Sequence, residues 1–312
     1  MFACGARQEN AILSGEKPDR SGAQTLNCIV SALRSQSIIM NTSSGDRAFA
    51  GAIPQLYEQY LVPLIFDPYA RDLTQRVASV APATVLEIAA GTGVVTRHLA
   101  TQLSAGVSIV STDLNQAMLD HAASIGTSRV VTWRQADAMN LPFADNSFDV
   151  VVCQFGAMFF PDKAAAFAET RRVLRPGGTF LFNVWDRIED NEFADCVTQA
   201  MARLFPHDPP RFLARLPHGY HDPAAIASAL VAGGFTGSHD FNTVAVQSRA
   251  ESPRDVAIAY CQGTPLRNEL EARDAKIVGK ATDIAAAAIM ERFGAGLISG
   301  KIQAHVISAT RQ

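Results

Sequence analysis

Short apolar runs alternate with longer stretches of helical periodicity from about residue 48 to the end of the chain. An apolar run of four to eight residues that is bounded by turn residues is typical of a strand buried on both faces of a parallel sheet. Runs of this kind predict strands at 85–88, 107–111, 133–135, 150–153, 179–182, 241–246 and 301–310. Strands that alternate with helices in this way predict the α/β class.

Helical patterns fill the intervals between these runs. Two helices, at 52–62 and 68–80, are expected before the first strand. Further helices are expected at 190–205, at 223–232, where Gly233 and Gly234 follow, and in the alanine-rich region 253–293. By contrast, residues 1–45 have no sustained periodicity and no apolar core suited to a signal peptide. We expect a disordered N-terminal extension there, with the working protein beginning near Met40.

The segment Glu87–Gly93, with the sequence EIAAGTG, follows the first predicted strand and opens into a helical pattern. Glycines at such a turn allow positive φ and let a ligand lie against the backbone. Asp113 follows the second predicted strand, where a carboxylate can hold the two hydroxyls of a ribose. The pattern therefore favours a cofactor that contains a nucleoside.

Two other nucleotide-binding loops fit this turn less well. The nicotinamide fingerprint G-x-G-x-x-G requires a third glycine, and Thr96 stands at that position. A phosphate-binding P-loop requires a lysine that the turn lacks.

The turn resembles the E/D-x-G-x-G-x-G loop of the class I S-adenosylmethionine-dependent methyltransferases, with Ala89 in place of the first glycine. Three further segments match that family in order and spacing: 133–138 (WRQADA), 141–149 (LPFADNSFD) and 172–178 (RVLRPGG). The resemblance covers residues 85–186. It is greatest to the small-molecule branch, methyltransferase type 11, near the ubiquinone- and menaquinone-type carbon methyltransferases.

This resemblance implies a doubly wound, seven-stranded, mostly parallel sheet of the Rossmann-like methyltransferase type, whose final strand is antiparallel. The methyltransferase domain is expected to span residues 46–312. Helical lid insertions are expected at about 187–222 and 250–297, over the carboxyl ends of the strands, where ligands bind in such sheets.

The resemblance also implies the binding residues for S-adenosylmethionine. Asp113 is expected to hold the ribose, Asp137 the adenine amino group, and Glu87 to lie beneath the methionine part. The full set of expected cofactor-binding residues is Glu87, Ala89, Gly91, Gly93, Asp113, Leu114, Asp137, Ala138, Gln154 and Phe155. The expected substrate residues are Tyr60, Met158 and Phe159. Methyl transfer needs no metal, so none is expected, and the pattern identifies no catalytic residue.

Composition narrows the class of partner only slightly. A formal net charge of −3 over 312 residues offers no basic footprint for nucleic acid. The five cysteines are scattered without paired spacing, which is typical of a reduced, cytoplasmic protein. No apolar run is long enough to predict a membrane span. A small-molecule acceptor is therefore expected. A pocket lined by Phe155, Met158, Phe159 and Phe160 would suit a hydrophobic or aromatic molecule, unless these residues belong to the core. The oligomeric state stays open.

Several alternatives remain open from the sequence. The chain could be a nicotinamide-dependent oxidoreductase on a similar sheet, or a methyltransferase-like module that binds without catalysis. The target atom could be carbon, oxygen or nitrogen. Three histidines in the first lid insertion, His207, His218 and His221, could be solvated loop residues or could supply a general base. Cys153 is expected to be a packed thiol and not a nucleophile.

Overall fold

Seven β-strands form one sheet in the computed structural model, which describes residues 44–47, 49 and 51–312. The strands are β1 (Thr84–Glu87), β2 (Ser108–Asp113), β3 (Thr132–Gln135), β4 (Phe148–Gln154), β5 (Leu174–Trp185), β6 (His239–Ala250) and β7 (Ile298–Thr310). Their order across the sheet is β3-β2-β1-β4-β5-β7-β6. Strands β1 to β5 run parallel, and β7 runs antiparallel to both β5 and β6. The predicted seven-stranded, mostly parallel sheet is confirmed.

Eleven α-helices accompany the sheet within the described residues. They are α1 (Ile53–Leu56), α2 (Asp67–Ser79), α3 (Val94–Gln102), α4 (Gln116–Ile125), α5 (Lys163–Val173), α6 (Glu192–Leu204), α7 (Phe212–Arg215), α8 (Pro223–Ala232), α9 (Pro253–Gln262), α10 (Leu266–Arg273) and α11 (Ile277–Phe293). No helix in this part of the chain is long and apolar enough to cross a bilayer. The expected disordered extension lies outside the described residues except for Ser44 and Gly45, which belong to a 3-10 turn, Ser44–Arg47.

The central strands are apolar because both of their faces are covered. Val150 to Cys153 of β4 are all at most 1% exposed, and β1 beside them is also buried. On one face, Phe180 and Phe182 of β5 stack at 4.6 Å between ring centroids, and Phe167 of α5 packs against both rings. Burial of such large rings is the main contribution to the stability of this face.

The two helices predicted before β1 form one continuous helical path. A π-helical segment, Tyr57–Phe66, joins α1 to α2, and Pro63 lies inside it. Proline cannot donate the backbone hydrogen bond of an α-helix, and a wider turn accommodates it. The N–H of Asp67 accordingly donates to the carbonyl of Val62, five residues earlier. The wider turn changes which side chains of this segment share a face.

The carboxylate of Asp149 fastens the amino-terminal edge of the sheet. It accepts hydrogen bonds from the backbone N–H groups of Ala83 (2.9 Å) and Thr84 (2.8 Å) and from the Thr84 hydroxyl (3.0 Å). Arg175 pairs with its second oxygen. Partial burial opposes ionisation of Asp149, but the Arg175 guanidinium and the Thr84 and Ala83 donors outweigh it and hold its pKa below the usual range. The acid that ends the LPFADNSFD segment is therefore a structural residue.

We expect Asp149→Asn to lower the free energy of unfolding at pH 7 by about 1.5–3 kcal/mol, since charge-assisted hydrogen bonds are lost. Because the pKa of Asp149 is lowered in the folded state, its contribution is complete above the unfolded pKa and disappears as pH falls through the folded pKa. The difference between variant and wild type in urea unfolding should therefore shrink in acid. Asp145→Asn is the matched control, because Asp145 is 66% exposed and its ion pair contributes little. An equal loss in both variants would contradict the structural role.

Candidate functional site

A cavity lies at the carboxyl ends of the parallel strands, as the fold class predicts. The cavity and its mouth enclose about 1240 Å³ of empty space. Its walls come from the loops after β1, β2, β3, β4 and β5, from the Tyr57–Phe66 segment, and from the helices inserted after β5 and β6. Most of the lining side chains are aromatic or aliphatic, and a few polar groups stand among them. This composition is typical of a small-molecule site.

The loop after β1 adopts the left-handed conformation at three of its residues. The φ angles are +56° at Ala89, +56° at Gly91 and +84° at Gly93. Ala89 therefore occupies a backbone conformation that favours glycine, which costs an alanine about 1 kcal/mol. Gly93 ends the loop against β3: a side chain there would lie 2.9 Å from the Trp133 ring. Ala89 and Gly91 line the cavity, whereas Gly93 begins α3 behind it.

Asp113 connects this loop to the end of β2. One carboxylate oxygen accepts the N–H of Gly91 at 2.9 Å, and the other accepts the N–H of Asn115 at 2.8 Å. Asp113 is 7% exposed, and burial raises its pKa despite these donors. Asp113 and the neighbouring Leu114 both line the cavity. The carboxylate thus shapes the loop and also faces the space that a ligand would fill.

The residues after β3 form the adjoining wall. Asp137 and Ala138 line the cavity, together with Ala136. The Asp137 carboxylate accepts the N–H of Met139 at 2.9 Å, so the turn is held by its own acid. These positions lie beside Asp113 because β3 pairs with β2 in parallel register.

Glu87 lies beneath the loop and does not line the cavity. It is 1% exposed, and its carboxylate accepts hydrogen bonds from the Thr96 hydroxyl and from the Ser111 hydroxyl, the latter at 3.1 Å. Burial raises its pKa to about 7, although both hydroxyls act in the opposite direction. Its predicted role toward a cofactor stays a prediction, and its observed contacts fasten β1 to α3 and β2.

The chain after β4 forms the wall opposite Asp113. Gln154 donates from Nε2 to the carbonyl of Phe66 at 3.3 Å, while its Oε1 is buried without a partner in the part of the chain that the structure describes. Phe155 has a φ of +50° and stacks on Trp185 with ring centroids 3.8 Å apart. Strained backbone and an unsatisfied buried oxygen concentrate at binding sites. Gly156 passes so close to Ala89 that a side chain at Gly156 would lie 2.4 Å from the Ala89 methyl group.

The predicted substrate residues divide into two groups. Met158 and Phe159 line the cavity, and Tyr60 does not. Tyr57 lines it instead, with Leu61 and Ile65 on the same face. In the π-helical segment, residues four to five apart share a face, so a residue three positions after Tyr57 points elsewhere.

The sequence interpretation missed several residues of the cavity wall. They are Arg47, Phe49, Tyr57, Trp185, Phe212 and Tyr260. Trp185 could have been found, since it ends β5 at the ligand-binding edge. The others come from inserted or preceding segments, and no local pattern marks them.

The structure defines the environments of Cys153 and of the three lid histidines. Cys153 is fully buried, and burial raises its pKa to about 12, so it is a packed thiol. Of the three lid histidines, only His218 lines the cavity; His207 is exposed in its loop. No group of three potential metal ligands occurs among the residues described.

Charged groups tie the two inserted segments to each other and to the Ser44–Arg47 turn. Arg215 of α7 forms two hydrogen bonds with Asp46, of 2.9 and 2.7 Å, and one with Glu269 of α10 at 2.9 Å. Asn268 donates to the carbonyl of Gly45 at 2.9 Å. These contacts bring the Ser44–Arg47 turn against both insertions.

A family model for a methyltransferase domain matches residues 86–182. A demethylmenaquinone methyltransferase of Mycolicibacterium paratuberculosis is 32% identical over 181 residues, which cover 55% of this chain and 76% of that protein. A ubiquinone/menaquinone biosynthesis C-methyltransferase of Saccharophagus degradans is 40% identical over 101 residues, or 31% of this chain and 41% of that protein. The matched stretch likewise spans 36% to 42% of the length of further curated relatives.

The same fold occurs in a solved structure of low sequence similarity. The YcgJ protein from Bacillus subtilis superposes with a TM-score of 0.50 at 20% identity, covering 78% of this chain and 99% of that one. This likeness concerns the fold, including the sheet whose carboxyl edge carries the cavity.

We expect the stability of the protein to fall as pH rises from about 4.5 to 7, partly because of Glu87. Its pKa is raised to about 7 in the folded state, so the folded protein holds a proton that the unfolded chain has released. The effect can reach about 3 kcal/mol and levels off above pH 7. Glu87→Gln should make the free energy of unfolding, measured in urea, less dependent on pH across this range, because glutamine does not titrate. Glutamine still accepts from Thr96 and Ser111, so the local contacts are kept. Glu271→Gln, on the partly exposed face of α10, should leave the slope unchanged. If Glu87→Gln keeps the wild-type dependence of stability on pH, the raised pKa assigned to Glu87 is wrong.

Proposed function

The chain belongs to the class I S-adenosylmethionine-dependent methyltransferases, and from this premise we propose that it methylates a small, apolar or aromatic molecule. The observation that carries the proposal is the cavity itself, whose walls beyond the carboxylates are largely aromatic or aliphatic. Phe155, Phe159, Trp185 and Phe212 contribute rings to these walls. Such a surface favours an apolar acceptor because burial of apolar area on both sides stabilises the complex.

The residues at the carboxyl edge of the sheet fit the cofactor of this family. Asp113 presents a buried carboxylate to the cavity, and Gln154 has a buried Oε1 that accepts no hydrogen bond from any described residue. We assign the ribose hydroxyls to Asp113 and the adenine end to Asp137 and Ala138. When bound, S-adenosylmethionine supplies a methyl group that its sulfonium has already activated.

The chemical task of the protein is then to position the acceptor and exclude water. Holding two reactants in line can contribute roughly 7–11 kcal/mol to the lowering of a barrier. The stacked pair Phe155 and Trp185, with Tyr69 packed edge-on against both, forms a rigid floor for this purpose. The hydroxyl of Tyr69 is itself fixed by a 3.0 Å bond to the carbonyl of Val244 on β6.

The two alternatives are not favoured. A nicotinamide-dependent oxidoreductase would need a glycine at position 96, where the Thr96 hydroxyl is buried and bonded to Glu87. A non-catalytic module would not need an enclosed cavity bearing both Asp113 and Asp137. A cytoplasmic location and the absence of nucleic-acid partners remain predictions from composition.

Asp113→Asn should weaken binding of S-adenosylhomocysteine by about 10- to 100-fold, measured by calorimetry, because a charge-assisted contact to the ribose is lost. Asparagine can still accept the N–H of Gly91 but loses the bond from the N–H of Asn115, so thermal melting of the variant is measured alongside to detect a change in the loop. Asp120→Asn, seven residues later and exposed on α4, is the matched control and should bind as the wild type does. If calorimetry shows that the wild type binds NAD and does not bind S-adenosylhomocysteine, the proposed function is wrong.

The acceptor class can be tested with a cofactor whose methyl group is isotopically labelled. A panel of phenols, naphthoquinols, amines and aliphatic acids should show label mainly in the aromatic members. The naphthoquinols belong in the panel because a relative is named for demethylmenaquinone. Label that enters only charged aliphatic compounds would contradict an apolar acceptor.

A further inference from the structure

His218 is a buried, polar residue in the lid-side wall of the cavity. It is 6% exposed and lines the cavity from the segment that follows α7. Its ring lies 6.0 Å from that of Trp185, which in turn stacks on Phe155. His218 therefore stands over the same aromatic floor on which we place the methyl acceptor.

The hydrogen bonds of His218 determine which ring nitrogen carries the proton. Nδ1 lies 2.8 Å from the backbone carbonyl oxygen of Asp186. A carbonyl oxygen can only accept, so Nδ1 must be the donor, and Nε2 of the neutral ring is then an acceptor with a free lone pair. The structure shows no hydrogen bond to Nε2 from any described residue.

The surroundings keep this imidazole uncharged. Burial lowers the pKa of His218 to about 4 and outweighs the opposing effect of the Asp186 carbonyl; His221 lowers the pKa further, and the carboxylates of Asp186 and Asp195 raise it only weakly. The Asp186 carboxylate is engaged elsewhere, with Gln303 at 2.6 Å and His305 at 3.3 Å. His218 is thus a neutral acceptor throughout the physiological pH range.

We propose that Nε2 of His218 accepts a hydrogen bond from a phenolic hydroxyl of the methyl acceptor and takes its proton during methyl transfer. This inference rests on the proposed function and specifies its acceptor. An aromatic ring suits the apolar walls, and the phenolic O–H becomes strongly acidic as its oxygen gains the methyl group, so a weak base can accept the proton in the transition state.

The step balances with S-adenosylmethionine as the methyl donor. A bond forms between the phenolic oxygen and the methyl carbon while the methyl–sulfur bond breaks, leaving a neutral thioether. The phenolic O–H bond breaks and its proton passes to Nε2. The positive charge thereby moves to the imidazole, which returns the proton to water after the product leaves.

The test uses two probes of similar size, 2-naphthol and 2-methylnaphthalene, of which only the first can donate a hydrogen bond. Their affinities are measured by calorimetry on protein saturated with S-adenosylhomocysteine. His218→Asn removes Nε2, while its side-chain N–H can still donate to the Asp186 carbonyl. His218→Gln returns an acceptor oxygen near the position of Nε2. His207→Asn, at the exposed lid histidine, is the control.

In the wild type and in His207→Asn, we expect the same preference for 2-naphthol over 2-methylnaphthalene. His218→Asn should reduce that preference by about fivefold or more, and His218→Gln should restore part of it. For any phenol that is methylated, kcat should fall by about 10²- to 10⁴-fold in His218→Asn.

An unchanged preference in His218→Asn, or no binding of either probe to the wild type, would overturn the inference. Failure to bind S-adenosylhomocysteine at all would instead overturn the proposed function, so the two failures are distinguishable. Thermal melting of each variant excludes unfolding as the cause, and a His218→Asn that binds S-adenosylhomocysteine as tightly as wild type confirms that the cofactor side is intact.

Discussion

The hydrogen bond from the Gly91 N–H to the Asp113 carboxylate is the contact on which the site depends. It joins the loop after β1 to the end of β2, two paired strands whose carboxyl ends meet at one edge because they run parallel. The loop reaches this bond through left-handed residues on both sides of it, at Ala89 and Gly93. The buried carboxylate is stabilised because backbone N–H groups donate hydrogen bonds to it, and those same groups fix the shape of the cavity.

Burial gives the other titratable groups of this region their properties. Glu87 and His218 are both buried with few opposing charges, and each is displaced toward its neutral form. His218 lies beside the Trp185 ring and is shielded from solvent, so its electrostatic interactions with a bound ligand are strong. A cavity of this kind is suited to a reaction in which a positive charge is transferred away from sulfur and water must be kept out.

The covering of the cavity is built from parts that are far apart in the chain. Asp46, Arg215 and Glu269 meet in one cluster of ion pairs, although more than 160 residues separate the first from the second. Paired charges of this kind confer specificity of arrangement more than stability, since desolvation offsets much of their attraction. The cluster brings the Ser44–Arg47 turn and both helical insertions to one edge of the sheet.

The sequence by itself determined the sheet, its ligand-binding edge and the carboxylates on that edge. Apolar runs, the glycine turn and the acid after β2 are local signals, and the parallel fold then brings their ends together without further information. Tertiary structure decided what stands opposite them. Proline in a helix gave a π-helical turn that exchanged Tyr60 for Tyr57, and the packing of distant insertions placed His218 over Trp185. Such positions depend on contacts between residues far apart in the chain, which no periodicity within one segment records.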